Sequence, residues 1–336
     1  MNPIKSHLWS LILIVFLSGC GQTSSSNTTN QTQFSPEPSS TVVISTPKPQ
    51  QESLSGNTAC KKVVFVLASG ENSDIFSICS DGSNLTKLTN STSTNTTPAW
   101  SPDGKSIAFS STRTGGNNQI FVMNADGSNA IQLTSDYQND FPVWLPDGQH
   151  IAFRTTDTKG LWSWRIVNIK TSQIIQFSEP TYDFFYQTPA WSPDGQQIAY
   201  MSLVEQKQRN DGSSQIHVKD IDGSNDIALT SDIWANINPV WSPDGKKIAF
   251  LSERDGTYNM FALYVMSANG QDIQKLSNPI YSENSKITWS SDGTQIAIDS
   301  DVSIGKIYII NLNSGEQREL INMGHRERAF SPSWQP

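Results

Sequence analysis

A tryptophan recurs at 100, 144, 191, 241 and 289, with spacings of 44, 47, 50 and 48 residues. A tight-turn tetrapeptide follows each one: Ser101-Pro-Asp-Gly, Leu145-Pro-Asp-Gly, Ser192-Pro-Asp-Gly, Ser242-Pro-Asp-Gly and Ser290-Ser-Asp-Gly. Seven residues after each Trp stands an apolar triplet: Ile107-Ala-Phe, Ile151-Ala-Phe, Ile198-Ala-Tyr, Ile248-Ala-Phe or Ile296-Ala-Ile. A variable loop comes next, then an apolar run such as Ile120–Met123 or Ile307–Ile310. A second turn (Asn124-Ala-Asp-Gly127, Asp220-Ile-Asp-Gly223) leads to a short segment ending in Leu133-Thr134 or Leu229-Thr230.

Each unit reads as four short strands. Pro presets φ at the first turn position, Asp bonds nearby backbone, and Gly takes the left-handed conformation that closes a type I turn. The intervening residues are β-branched or aromatic, and no long helical period interrupts them. Four-stranded repeats of 40–50 residues are the mark of propeller blades. The first unit, Val63 to Thr89, has no Trp strand. The missing piece stands at the other end of the chain, where Pro332-Ser-Trp334-Gln-Pro336 matches Pro98-Ala-Trp100-Ser-Pro102, 45 residues after Trp289. Five whole units and one split unit predict an all-β, six-bladed β-propeller of four-stranded antiparallel blades. The C-terminal strand pairs with the first blade, closing the ring and removing the open edge of a linear array.

The unit Trp-Ser-Pro-Asp-Gly-x-x-Ile-Ala-Phe, with its later Asn-x-Asp-Gly-Ser-Asn and Leu-Thr, resembles the TolB-type propeller repeat. Dipeptidyl-peptidase-like and tricorn-like propellers carry relatives of it. The resemblance covers residues 60–336 and recurs five times in one register. It implies a propeller working in the bacterial envelope. TolB itself has an N-terminal α/β domain that contacts transport partners; here that place holds a polar linker.

The N-terminus reads as an export segment. Lys5 precedes ten residues, Leu8–Leu17, that are mostly apolar. That is too short for a spanning helix of roughly 20 residues but fits a signal-peptide core. Leu17-Ser18-Gly19-Cys20 resembles a lipobox, which makes Cys20 the expected lipidation site and residues 1–19 a lipoprotein signal peptide. Several acyl chains, at about 0.8 kcal/mol per buried CH₂, would anchor the chain stably. Residues 20–59 are rich in Ser, Thr, Asn, Gln and Pro and read as a disordered tether. Such a coil spans roughly 35 Å on average. An exported protein meets oxidising conditions, so Cys60 and Cys79 are expected to pair. Folding Val63–Leu67 against Ile75–Cys79 about Ser69-Gly70-Glu71 places them opposite one another; two free buried thiols are the alternative.

The Asp-Gly turns all join first to second or third to fourth strands, so they share one face of the disc. Longer, chemically richer loops fall on the other, which is the expected binding face. Its candidate partner-binding residues are Tyr137, Tyr182, Phe184, Phe185, Tyr186 and Trp234, aromatics suited to peptide, glycan or protein contact. The alternative role for them is to plug the gaps between blades. Arg113 and Arg254 occupy equivalent loop positions, where they would meet an anionic ligand or bond their own loops.

Chemistry of other kinds finds little support. There is no Gly-x-Ser-x-Gly elbow and no His-Glu-x-x-His. His150, His217 and His325 share no spacing, and Asp220-x-Asp222-Gly recurs without acids at Ser267-Ala-Asn-Gly270, so neither reads as a metal site. The net charge of −8 shows no basic stripe, which argues against nucleic acid. The expectation is a monomeric, non-enzymatic, lipid-anchored binding or scaffold protein with no cofactor or metal. Its domain faces periplasm or exterior, and its partner is an envelope protein, peptide or glycan. The competing reading is a propeller hydrolase or lyase acting on glycans through channel-mouth carboxylates.

Overall fold

The computed structural model describes residues 60–178, 188–204, 213–257, 260–278, 281–300, 305–322 and 327–336. The signal, lipobox and tether therefore lie outside the described residues. Blade 1 holds β1 (Lys62–Ser69), β2 (Asn72–Cys79) and β3 (Thr86–Lys87). Blade 2 holds β4 (Asn95–Trp100), β5 (Ser106–Ser111), β6 (Gln119–Asn124) and β7 (Ile131–Gln132). Blade 3 holds β8 (Gln138–Trp144), β9 (His150–Thr156), β10 (Trp162–Asn168) and β11 (Ile174–Gln176). Blade 4 holds β12 (Ala190–Trp191), β13 (Gln197–Val204), β14 (Ser213–Asp220) and β15 (Ile227–Ala228). Blade 5 holds β16 (Asn236–Trp241), β17 (Lys247–Thr257), β18 (Met260–Ser267) and β19 (Gln274–Lys275). Blade 6 holds β20 (Ile287–Trp289), β21 (Gln295–Asp299), β22 (Lys306–Asn311) and β23 (Gln317–Asn322). The last strand, β24 (Glu327–Trp334), pairs antiparallel with β1 from Val63↔Trp334 to Ser69↔Glu327 and completes blade 1. Six four-stranded antiparallel blades result, and the ring is closed as the repeat predicts.

The turn chemistry is visible atom by atom. Ser101 Oγ donates to Asp103 Oδ1 at 2.6 Å, Asp103 accepts the Lys105 N–H, and Ser101 Oγ accepts the Ser106 N–H. The same arrangement recurs at Ser192, Ser242 and Ser290. These bonds favour the ionised carboxylate and lower the pKa of Asp103, Asp194 and Asp244; in Asp292 it falls to about 2.

The terminal Thr of the Leu-Thr signature also has a task. The fourth strand is mostly two residues long, so it leaves the start of the third strand without a ladder partner. Thr89, Thr134 and Thr230 each accept the orphaned N–H, from Ile75, Ile120 and Ile216, at 2.9 Å. Ser277 does the same for Leu263.

Apolar contacts fuse the blades. Trp100, Ile107, Phe109 and Phe121 of blade 2 pack with Val64, Ile75 and Leu88 of blade 1. Trp334 and Ala329 of β24 pack with Ala297, Ile307 and Ile309 of blade 6. The indole N–H groups of Trp144 and Trp289 reach back one blade, to the carbonyls of Ala99 and Val240.

One expectation shifts in detail. Cys60 and Cys79 are joined by a disulfide with Cα atoms 5.6 Å apart, but Lys62, not Cys60, stands opposite Cys79. The turn is Gly70-Glu71, within the expected Ser69-Gly70-Glu71, with Gly70 supplying the positive φ of 64°. The disulfide is therefore a diagonal link beyond the last ladder pair.

Close packing of blades is tightest at Gly127. Gly127 has φ 87°, and a Cβ there would collide with the Leu88 carbonyl of blade 1. Gly115 has a similar φ of 85° with open space around it. Gly127→Ala is expected to cost clearly more stability than Gly115→Ala, the latter losing about 1 kcal/mol from backbone conformation alone. Denaturant midpoints of the two variants check this, and equal losses would count against the contact.

Candidate functional site

In an antiparallel blade, the first-to-second and third-to-fourth turns leave the sheet at the same end. The second-to-third loops and the blade-to-blade connections leave at the other. The innermost strands are β4, β8, β12, β16, β20 and β24, whose free edges surround the central axis. Four of them, β4, β8, β16 and β24, carry the same device near the loop face. Thr97, Phe141, Asn238 and Ser331 have φ of 50–54°, and each stands three residues before its Trp and directly before a Pro. A register shift marks the spot in all four strands. This is a repeated β-bulge, which bends the strand and re-aims its side chains. Pro next to it removes one N–H from the inner edge and so blunts it against pairing. Thr188 and Lys286 hold the same place in blades 4 and 6.

Thr97, Phe141, Asn238 and Ser331 at the bulges, with Thr188 and Lys286 at the equivalent sequence positions, ring the axis near the loop face. They are chemically unequal. Lys286 Nζ donates to the Pro98 carbonyl at 3.1 Å, reaching from blade 6 to blade 2. Its exposure is intermediate, yet protein atoms surround the ammonium and desolvation pulls its pKa to about 8. Below it Asp299 is 2% exposed and accepts the backbone N–H of both Lys286 and Ser331. Burial pushes its pKa up to about 6, with the two N–H bonds and Lys286 opposing. In blade 3, on the opposite side of the ring, Arg154 forks onto Asp140 with two bonds of 2.9 Å and stacks on exposed Phe141 at 4.4 Å.

The aromatics foreseen in the sequence divide into two groups. Tyr137 is 38% exposed, has φ 52° and stacks with Arg165 at 5.0 Å. Trp234 is half-buried, and its carbonyl accepts from Gln215 and Asn236. Both stand in blade-to-blade connections on the loop face. Tyr182, Phe184, Phe185 and Tyr186 lie outside the described residues. Arg113 and Arg254 are occupied within the chain. Arg113 bonds Ser111 and Asn95 and stacks on Phe109 and Phe121; Arg254 bonds Ser252, Asn236 and Asp232 and stacks on Phe250 and Tyr264. They serve the repeat.

These arginines end a buried polar latch that the sequence reading missed. Asn95, Asn139 and Asn236 are each fully buried, five residues before their Trp. Their amides donate one blade back, to Ser73 and Asp74, to Gln119, and to Gln215. Their carbonyl oxygens accept from Ser111, Thr155 and Arg254 of their own blade. The recurring Asn-to-Trp spacing was the available signal. His150 and His217 pair with surface Asp147 and Asp226. Among the described residues, no three His, Cys, Asp or Glu side chains converge as a metal set.

These features define a six-bladed propeller with a blunted channel and a loop face held by internal ion pairs. The TolB beta propeller domain model matches residues 53–184 and 181–336, and the chain belongs to that family. TolB from Acinetobacter baumannii superposes with a TM-score of 0.68 at 21% identity, over 82% of this chain and 67% of that one. A putative TolB from Agrobacterium tumefaciens gives 0.58 at 16%, over 83% and 100%. Hydrazine synthase from Kuenenia stuttgartiensis gives 0.63 at 16%, over 83% of this chain and 47% of that one. At these identities the likeness is one of fold. No curated protein matches the chain in sequence.

The buried Asp299 makes a pH prediction. Its folded pKa near 6 exceeds the ordinary 3.8, so the folded state holds the proton more tightly. The stability this adds is fully present below about pH 4 and is lost as pH rises through 6. The stability of the parent relative to Asp299→Asn should fall between pH 4 and 7 by on the order of 1–3 kcal/mol. Urea titrations of both proteins measure it, and a pH-independent difference would refute the assignment.

Proposed function

We propose that the protein is a non-enzymatic binding or scaffold protein of the bacterial envelope, held to a membrane by a lipid on Cys20. Its loop face receives a protein, peptide or glycan partner. The observation that carries this reading is the rim of the channel. Phe141 on the inner strand and Tyr137 in the connection leading to it, each 38% exposed, have cations against their rings. Aromatic faces pre-positioned in this way present contact area at low entropy cost.

The charged groups of the rim support binding over catalysis. Asp140 is held by both arms of the Arg154 guanidinium. Asp299 is sealed under Lys286 and Ser331. A general acid or nucleophile must reach substrate, and both carboxylates are spent on the fold. No helix among the described residues is long and apolar enough to cross a membrane. Attachment therefore rests, in this reading, on the leader ending in Leu17-Ser18-Gly19-Cys20.

Two experiments test the proposal. Cys20→Ser should move the protein from the membrane fraction to the soluble fraction, and unchanged membrane fractionation would refute lipidation. A photo-crosslinker at Tyr137 or Phe141 in intact cells should capture one recurrent envelope partner. Turnover of a glycan or peptide panel by purified protein, abolished by Asp140→Asn, would overturn the binding reading.

A further inference from the structure

The repeat provides an internal comparison at the stacked aromatic pair shared by blades 1, 2 and 5. In blade 2, Phe109 and Phe121 stack with centroids 5.7 Å apart, and the Arg113 guanidinium lies 4.7 and 4.9 Å from the two rings. In blade 5, Phe250 and Tyr264 stack at 5.8 Å, and Arg254 lies 5.5 and 4.7 Å from them. In both, the guanidinium fills the space over the pair and shuts out water. The second rings, Phe121 and Tyr264, are 3% and 4% exposed.

Blade 1 has the same pair without the arginine, and only the Lys87 ammonium lies near it, 5.9 Å from the Phe76 ring. Phe65 and Phe76 stack at 6.1 Å and 28°. Aligning the blades on Val63↔Trp334, Ile107↔Trp100 and Ile248↔Trp241 puts Ser69 where Arg113 and Arg254 stand. Leu67 replaces Ser111 and Ser252, and Ala329 replaces Asn95 and Asn236. The β1–β2 ladder runs unbroken to Ser69↔Asn72, so a two-residue turn stands where blades 2 and 5 have a longer loop. The result is a cleft of about 460 Å³, lined by Leu67, Phe76, Asn72, Asp74, Lys87 and Glu327 among others. Phe76 is left half-buried.

The rest of the cap's chemistry survives in blade 1. Lys87, opposite Phe76 on β3, pairs with Asp74 at 2.9 Å. Lys275, opposite Tyr264 on β19, pairs likewise with Asp255. Blade 5 adds Arg254 to this set, and blade 1 does not. Asp74 is matched by Lys87 and lies in the field of Arg113 from blade 2, so among the described residues Glu327 is the carboxylate of the cleft left to meet an added cation. We infer that the blade 1 cleft receives an arginine side chain from a protein or peptide partner, supplying in trans the guanidinium that Arg113 and Arg254 supply in cis. The planar cation would stack on Phe76 with its stem along Leu67 and its N–H groups on Glu327 and Asp74. The inference deepens the binding reading by naming a second contact and the residue type it selects.

The test uses the full chain in detergent and the peptide acetyl-Gly-Arg-Gly-amide, against the same peptide with citrulline, which keeps the shape and loses the charge. Titration is followed by NMR at millimolar peptide. The arginine peptide should bind at least about three-fold more tightly than the citrulline one, the scale of a solvent-edged cation–π contact. Ser69→Arg should fill the cleft from within, preserve or raise the melting temperature, and abolish binding. Glu327→Gln and Phe76→Ala should each weaken binding. Equal binding of the two peptides, or full binding by Ser69→Arg, would overturn the inference. So would binding seen only after residues 21–59 are deleted, because the chain's own tail would then be the occupant. A partner crosslinked at Tyr137 or Phe141 with no arginine selectivity in this cleft would leave the binding reading standing and remove only this proposal.

Discussion

The pairing of β24 with β1 is the contact on which every other feature depends. Blade 1 is built from the two ends of the propeller sequence, so its sheet exists only when the chain has come full circle. The seam is a full antiparallel ladder with its own bulge, and it packs Trp334 and Ala329 against blade 6. Losing a buried Trp alone costs about 3–5 kcal/mol, against a total stability of about 5–15 kcal/mol for a typical domain. The seam is thus large enough to decide whether the ring is folded at all. It also sets the bulge ring, because Ser331 is one of its members and bonds the buried Asp299.

Between blades, two systems work side by side. Apolar clusters supply most of the driving force through area removed from water. The Asn latch supplies little net energy but fixes register, because an unpaired buried amide would be costly in any other arrangement. Each latch engages the third strand of one blade and the first and second of the next. That leaves the loop face rigid at its base and variable at its tips. Blade 1 breaks the pattern, since Ala329 and Leu67 replace the latch and the cap is gone. The closing blade is therefore a place where an aromatic stack stays open to solvent without an arginine over it.

Much of this was legible beforehand. The Trp spacing, the Ser-Pro-Asp-Gly turns and the stray C-terminal Trp334 specified blade number and closure, because each reports a local rule repeated in one register. The residue opposite Cys79 is Lys62, two positions from Cys60, because the ladder closes on a two-residue turn at Gly70-Glu71, a choice set by positive φ rather than by strand pattern. Arg113 and Arg254 were recognised as equivalent, but their partners were not, since Asn95, Asn236 and Asp232 come from strands and loops distant in sequence. Lys286 and Asp299 gave no signal. Their meaning comes from the bulge ring, which converges only when six units surround one axis. The blade 1 cleft was invisible for a related reason: it is an omission at Ser69 that shows only against the filled equivalents in blades 2 and 5.

The central claim is that ring closure makes the six blades one cooperative unit. Amide hydrogen exchange on a chain ending at 326 tests it most directly. The account predicts that β9 and β13, in the blades farthest from the seam, lose protection together with β1. If β9 and β13 kept the protection they have in the full chain while β1 alone exchanged freely, the blades would be independent and the account would be wrong.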